Sequence, residues 1–173
     1  MHFKESGVLK ISSIAIMIVI MISGCEYKYD NPCKKAVYMS AEELREDYPK
    51  ISSAREIGTA AKIYNYMDGD IIFVNERNIG IHVVNNRVRE APENIAFIEI
   101  PGNIDMAVKD GYMYVDSFTD LLVLDIRDIN DIKTVYRKEK VFPYDAMQAA
   151  DKTSGACYDY DYAKTDAFVI GFK

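Results

Sequence analysis

From Lys62 onward the chain is written in short apolar runs separated by turn residues. Residues 62–66 alternate apolar and polar, Asp68, Gly69 and Asp70 carry turn chemistry, and 71–75 is a second apolar run, so the pattern predicts a hairpin. Glu76, Arg77 and Asn78 turn the chain again into 80–84, and 95–100 is a fourth strand closed by Pro101 and Gly102. The same order then recurs. Residues 106–108, a turn at Asp110 and Gly111, 112–116, a turn over 117–119, 121–125 and 134–138 restate the four strands. Ile81, His82, Val83, Val84 and Asn85 align with Leu121, Leu122, Val123, Leu124 and Asp125 at a spacing of 40, while Phe73 and Val74 align with Tyr114 and Val115 at 41. One residue has therefore been lost from the intervening turn of the second copy.

Four strands repeated at about 40 residues are the pattern of propeller blades. Beyond Pro143, 145–152 reads as a short helix stopped near Gly155, and 157–162, a turn over 164–166, and 167–172 read as the opening hairpin of a third copy. The predicted fold is all-β: an incomplete β-propeller of about two and a half four-stranded blades over residues 61–173. A ring normally takes four to eight blades, so this reading expects either the N-terminal part of a longer propeller or a ring completed by self-association. Ahead of it, residues 25–60 form a tether with one short helix. Residues 26–36 are polar and carry Pro32, and Ser40 and Glu43 make a capping box. That helix is expected to end near Tyr48, because Pro49 disfavours helix at the residue before it. Residues 51–59 read as a connecting segment bending at Gly58.

The N-terminus follows a different rule. Lys4 and Lys10 precede an apolar run whose unbroken core, 14–22, is far shorter than the ~20 residues a membrane-spanning helix needs. This is the layout of an export signal over residues 1–24. Ile22, Ser23, Gly24 and Cys25 resemble the lipobox of bacterial lipoproteins, a branched apolar residue and two small residues before a cysteine. The resemblance implies cleavage before Cys25, lipidation of its thiol, and anchorage in the cell envelope, facing the periplasm or the cell surface; two acyl chains suffice for stable attachment.

A second resemblance lies in the repeat itself. The segments ending in Asn85 and Asp125 resemble the LVIVD-type repeat of bacterial β-propeller proteins, many of which are lipoproteins. Leu121, Leu122, Val123, Leu124 and Asp125 are the closer copy. Pro92 stands where such repeats place a proline, whereas Ile129 and Ile132 replace it in the second copy. The resemblance extends over roughly residues 39–173 and implies a propeller without specifying its ligand.

Composition narrows the chemistry. The formal charge is −6 over the full chain. Loss of residues 1–24 removes two lysines and one glutamate and makes it −7. An acidic surface of this kind argues against a nucleic-acid partner. Cys33 and Cys157 remain once Cys25 is assigned to lipid, and both a bridge between them and two separate thiols are open. No Cys/His spacing of a zinc site is present, nor a GxSxG, HExxH, P-loop or dinucleotide fingerprint, and no cofactor is expected. His82 reads as a structural or surface histidine of a strand rather than a ligand or base, and Asp116 and Asp125 as turn and blade-bracing carboxylates rather than a catalytic pair. Tyr158, Asp159, Tyr160, Asp161 and Tyr162 form an amphipathic strand pattern in which Asp159 and Asp161 are the only candidate cation ligands. The functional expectation is non-enzymatic: a lipid-anchored envelope protein with a binding or scaffolding role toward an unknown protein or glycan. The alternative is the N-terminal fragment of a propeller enzyme whose catalytic residues lie in further blades.

Overall fold

The computed structural model describes residues 36–144 and 167–172, all within the unit Cys33–Lys173. The predicted signal, the lipobox, most of the tether, the 145–152 helix and the 157–162 strand lie outside the described residues. Within them the protein is mostly β, built of antiparallel sheets, none closed on itself.

The eight strands expected from the repeat all form. β3 (Ala60–Tyr66), β4 (Ile71–Glu76), β5 (Gly80–Asn85) and β6 (Glu93–Glu99) make one meander; β7 (Met106–Lys109), β8 (Tyr112–Ser117), β9 (Asp120–Asp125) and β10 (Lys133–Lys138) make the next. Their turns follow from local chemistry. Asp110 and Gly111 both take positive φ, 52° and 80°, the pair a two-residue hairpin requires.

The connection from third to fourth strand is the same object in both copies. The Arg87 amide is accepted by Asn85 Oδ1 at 3.2 Å, and the Arg127 amide by Asp125 Oδ1 at 3.1 Å. Ala91 N–H reaches Val88 O at 3.0 Å, and Asp131 N–H reaches Asp128 O at 3.1 Å. Even the lost residue is visible: Asn86 N–H bonds Asp70 O and Ile126 N–H bonds Gly111 O, so the donors lie 40 apart and the acceptors 41.

Both meanders bury one face in a common core. Phe73, Ile81, Val83, Ile98 and Ile100 of the first copy and its following turn meet Met106, Met113, Val115, Leu122 and Leu124 of the second. Burial removes these side chains from water at roughly 1.5–3 kcal/mol each, which is why the apolar alternation decides which way each strand faces. The first sheet is covered on its other face as well, where Val74, His82, Val84 and Phe97 are buried. Among the described residues the second sheet lacks such a cover: Leu121 and Val123 are half-buried and Tyr114 is exposed.

Among the described residues four elements lie outside the two meanders, one helix and three strands. Helix α1 (Ala41–Asp47) begins where the capping box placed it, with Ser40 Oγ accepting the Glu43 amide at 3.1 Å, and ends at Tyr48 before Pro49. Ser40→Ala is expected to lower stability by about 1 kcal/mol, measured as a shift in the urea midpoint with unchanged slope. The segment expected to be a connection holds a strand, β2 (Lys50–Ser53), which adds a fifth strand to the first sheet along β6. The tether boundary also moves: Ala36 starts β1 (Ala36–Ser40), which pairs with β11 (Ala167–Phe172) as a two-stranded sheet. β11 forms as predicted, and its partner among the described residues is β1. That small sheet is pinned on the β8–β9 turn, where Phe118 stacks on Phe168 with ring centres 4.5 Å apart.

Candidate functional site

Among the described residues several polar arrangements interrupt this apolar framework, and two of them bear on function. The first surrounds His82, which is fully buried on β5. Its Nε2 lies 3.0 Å from Glu76 Oε2, and its Nδ1 lies 3.1 Å from Asn94 Nδ2. The Asn94 amide also donates to Arg55 O at 2.7 Å, so its hydrogens face Nδ1 and the network assigns the ring proton to Nε2. Glu76 accepts in addition from Arg55 Nη2 at 2.7 Å and from the Gly58 and Thr59 amides at 3.1 and 3.2 Å. Gly58 is required by this approach, because a Cβ there would sit 2.4 Å from Glu76 Oε1. Arg55 also lies over the Phe97 ring at 3.8 Å.

Burial alone would push the Glu76 carboxyl up; the bonds from His82, Arg55 and Thr59 outweigh it and hold it down at about 2. A histidine beside a carboxylate resembles part of a proton relay, but both ring nitrogens are occupied within a buried network. Among the described residues the ring nitrogens of His82 meet Glu76 and Asn94, neither of them a hydroxyl or a thiol. The cluster fastens the chain from Arg55 to Thr59 across the outer face of the first sheet.

The second arrangement joins the two sheets and ends at a cleft. Buried Asn75 on β4 donates to the buried Asn103 side chain, whose Nδ2 reaches Asp116 Oδ1 at 3.1 Å and Asp105 O at 2.9 Å. Asp116 Oδ1 further accepts the Ile104 and Asp105 amides at 3.0 and 2.8 Å. Despite these donors, burial pushes the Asp116 carboxyl up, whereas Asp105 is held down by its bond with Lys62. Asp116 stands in the wall of an open cleft of about 530 Å³ whose other walls include Tyr64, Ala107, Tyr114, Leu121 and Phe142.

The bracing role expected for Asp116 and Asp125 agrees with this geometry, since Asp125 binds the Arg127 amide and guanidinium and is held at about 2 by them. Sequence reasoning missed Arg55, Asn94 and Asn103. Arg55 sits in what reads as a linker, and the side-chain partners of all three lie 12 to 42 residues away in mixed directions, without a spacing to betray them. Cys25, with Ile22, Ser23 and Gly24, and likewise Cys33, Cys157, Asp159 and Asp161, lie outside the described residues. Among the described residues no three His, Cys, Asp or Glu side chains converge to hold a metal ion, and no helix is long and apolar enough to cross a membrane. Comparison with protein-family models, curated proteins and solved structures returns no match.

Proposed function

We propose that this chain is a lipid-anchored protein of the bacterial cell envelope whose propeller-type domain acts as a binding or scaffolding module. The address rests on the lipobox-like Ile22, Ser23, Gly24 and Cys25. The propeller reading rests on two successive four-stranded meanders with matching loop bonds at the 40-residue spacing.

The binding role is carried by one observation: β9 is apolar on both sides, yet only Leu122 and Leu124 enter the core, while Leu121 and Val123 join Tyr114 on an open face. A sheet that is apolar on both faces is normally covered on both, and a contiguous uncovered patch marks an interaction surface.

Two measurements on the full chain test the two halves of the proposal. Cys25→Ala is expected to abolish fatty-acid labelling and leave an unprocessed precursor; normal maturation of that variant would remove the address. For the surface, Tyr114→Cys in envelope preparations is expected to react with a maleimide more slowly than in the purified protein, above the background of the parent chain. Lys109→Cys, on the same sheet but outside the cleft, provides the control. Equal protection factors at both positions would overturn the binding role.

A further inference from the structure

The cleft on the second sheet has a chemical character beyond its apolar walls. β8 presents Tyr114 and Asp116 on one face, two positions and therefore about 7 Å apart along the strand. Opposite Tyr114 in the register stands Ala107, whose methyl group leaves the floor open. Tyr64 from β3 and Phe142 complete the walls.

Asp116 is bonded unevenly. Its Oδ1 takes three donors, from Asn103, Ile104 and Asp105, whereas Oδ2 shares only the Ile104 amide, at 3.1 Å. Those donors are neutral. Among the described residues Lys62 supplies the ammonium at this site, and it is bonded to Asp105, with both side chains about half exposed. Lys62, Asp105 and Asp116 therefore leave the cleft with one negative charge in excess, on a half-buried carboxylate beside aromatic rings. An anion would be repelled there, and a neutral sugar would leave the charge uncompensated. An organic cation satisfies all three features: its charge on the carboxylate, its C–H surface on the tyrosines, and its approach favoured by the acidic chain.

We infer that this cleft binds a small organic cation, with its ammonium group on Asp116 and its alkyl body between Tyr64 and Tyr114. The inference rests on the reading of the open face as a binding surface and names the ligand class. Burial that holds the Asp116 carboxyl up is relieved by a cation, so binding releases protons near that carboxyl's own titration and weakens as the solution is made more acidic.

The test is titration of the purified full chain with n-butylammonium, followed by calorimetry and tyrosine fluorescence, beside the neutral isostere n-butanol and a neutral disaccharide. The cation is expected to bind in preference to both. Asp116→Asn keeps an acceptor for the Ile104 and Asp105 amides, and is expected to weaken the cation about tenfold while thermal unfolding shows a folded protein. Tyr114→Ala is expected to weaken it about threefold. Affinity for n-butanol equal to that for the cation, or an unchanged affinity in Asp116→Asn, would overturn the inference. Preferential binding of the disaccharide at Tyr114 would also overturn it, yet would leave the binding surface standing. Absence of any binding, together with equal maleimide protection at Tyr114 and Lys109, would remove both.

Discussion

Asp120→Ala is expected to cost about 3–5 kcal/mol, because it removes the buried partner of two part-buried arginines. The Asp120 carboxylate is fully buried at the start of β9 and gathers donors from four directions. Arg45 on α1 approaches with Nε at 2.9 Å and Nη2 at 3.1 Å, Arg137 on β10 with Nη1 at 3.1 Å, and the Lys140 amide and Thr119 hydroxyl at 3.1 and 3.2 Å. Burial raises its carboxyl and these donors outweigh that, so it is held below the ordinary carboxylate range. Arg137 also donates to Tyr48 O at 2.5 Å. One carboxylate thus joins the helix and its C-terminal end to the second sheet. Its loss takes the carboxylate from both arginines at once, leaving Arg137 on the neutral Tyr48 carbonyl while Arg45 keeps Glu139 at 3.1 Å. Equilibrium urea unfolding gives the cost, and hydrogen exchange is expected to show α1 losing protection before the meander does. Asp120→Asn, which still accepts from the Lys140 amide, is expected to fall between the parent and the alanine variant. A change below ~1 kcal/mol for Asp120→Ala would mean that the pairs only balance their own desolvation.

The junction around Asp120 also shows what a repeat conceals. Asp120 occupies the position of Gly80, 40 residues earlier, and the two do different work. Gly80 takes φ 153° with the Ile98 carbonyl only 2.1 Å from where a Cβ would stand, whereas Asp120 turns a carboxylate toward an element that has no counterpart in the first copy. Strand positions, turns and the core face were legible because period-two burial and turn chemistry are local and were written twice. The helix was legible from Ser40 and Glu43 alone. β2 was not, since all four of its residues are exposed and it exists only because its backbone pairs with the free edge of β6. β1 escaped for a related reason: its partner β11 lies at the other end of the sequence.

The candidate site was legible only in fragments. Asp116 reads from its place at a strand end as a turn or bracing carboxylate, and His82 as a structural or surface histidine, so its full burial is not legible in the sequence. Their partners arise where chain segments cross: Arg55 reaches Glu76 from a non-repeating segment, Asn103 links Asn75 to Asp116 between sheets, and Tyr64 meets the cleft from the first copy while Tyr114 comes from the second. None of these follows a period. Binary patterning orients strands, whereas polar networks depend on which edges meet in three dimensions.

Glu76→Gln is expected to cost about 3 kcal/mol at neutral pH and to remove a defined part of the acid sensitivity. The Glu76 carboxyl falls from an ordinary 4.5 to about 2 in the folded protein, and at 1.36 kcal/mol per unit this corresponds to roughly 3 kcal/mol. Because the folded value is depressed, the unfolded chain binds the proton more readily. The contribution is therefore fully present above about 4.5 and is lost as pH falls toward about 2. Glutamine keeps one oxygen for the Gly58 and Thr59 amides but sets its NH₂, in the place of Oε2, against both the Arg55 guanidinium and the His82 Nε2 proton. Moving that proton to Nδ1 would relieve the second clash only by opposing the Asn94 amide. Turning that amide would in turn face its oxygen toward Arg55 O. Every accommodation ends at the segment from Arg55 to Thr59, whose detachment exposes Phe97 and the outer face of the first sheet. Urea midpoints of parent and variant measured from pH 7 down to pH 2 are expected to converge as acidity rises, with most of the convergence below about 4.5. A difference that stays constant across that range would show that Glu76 is not the group whose charge holds the segment down.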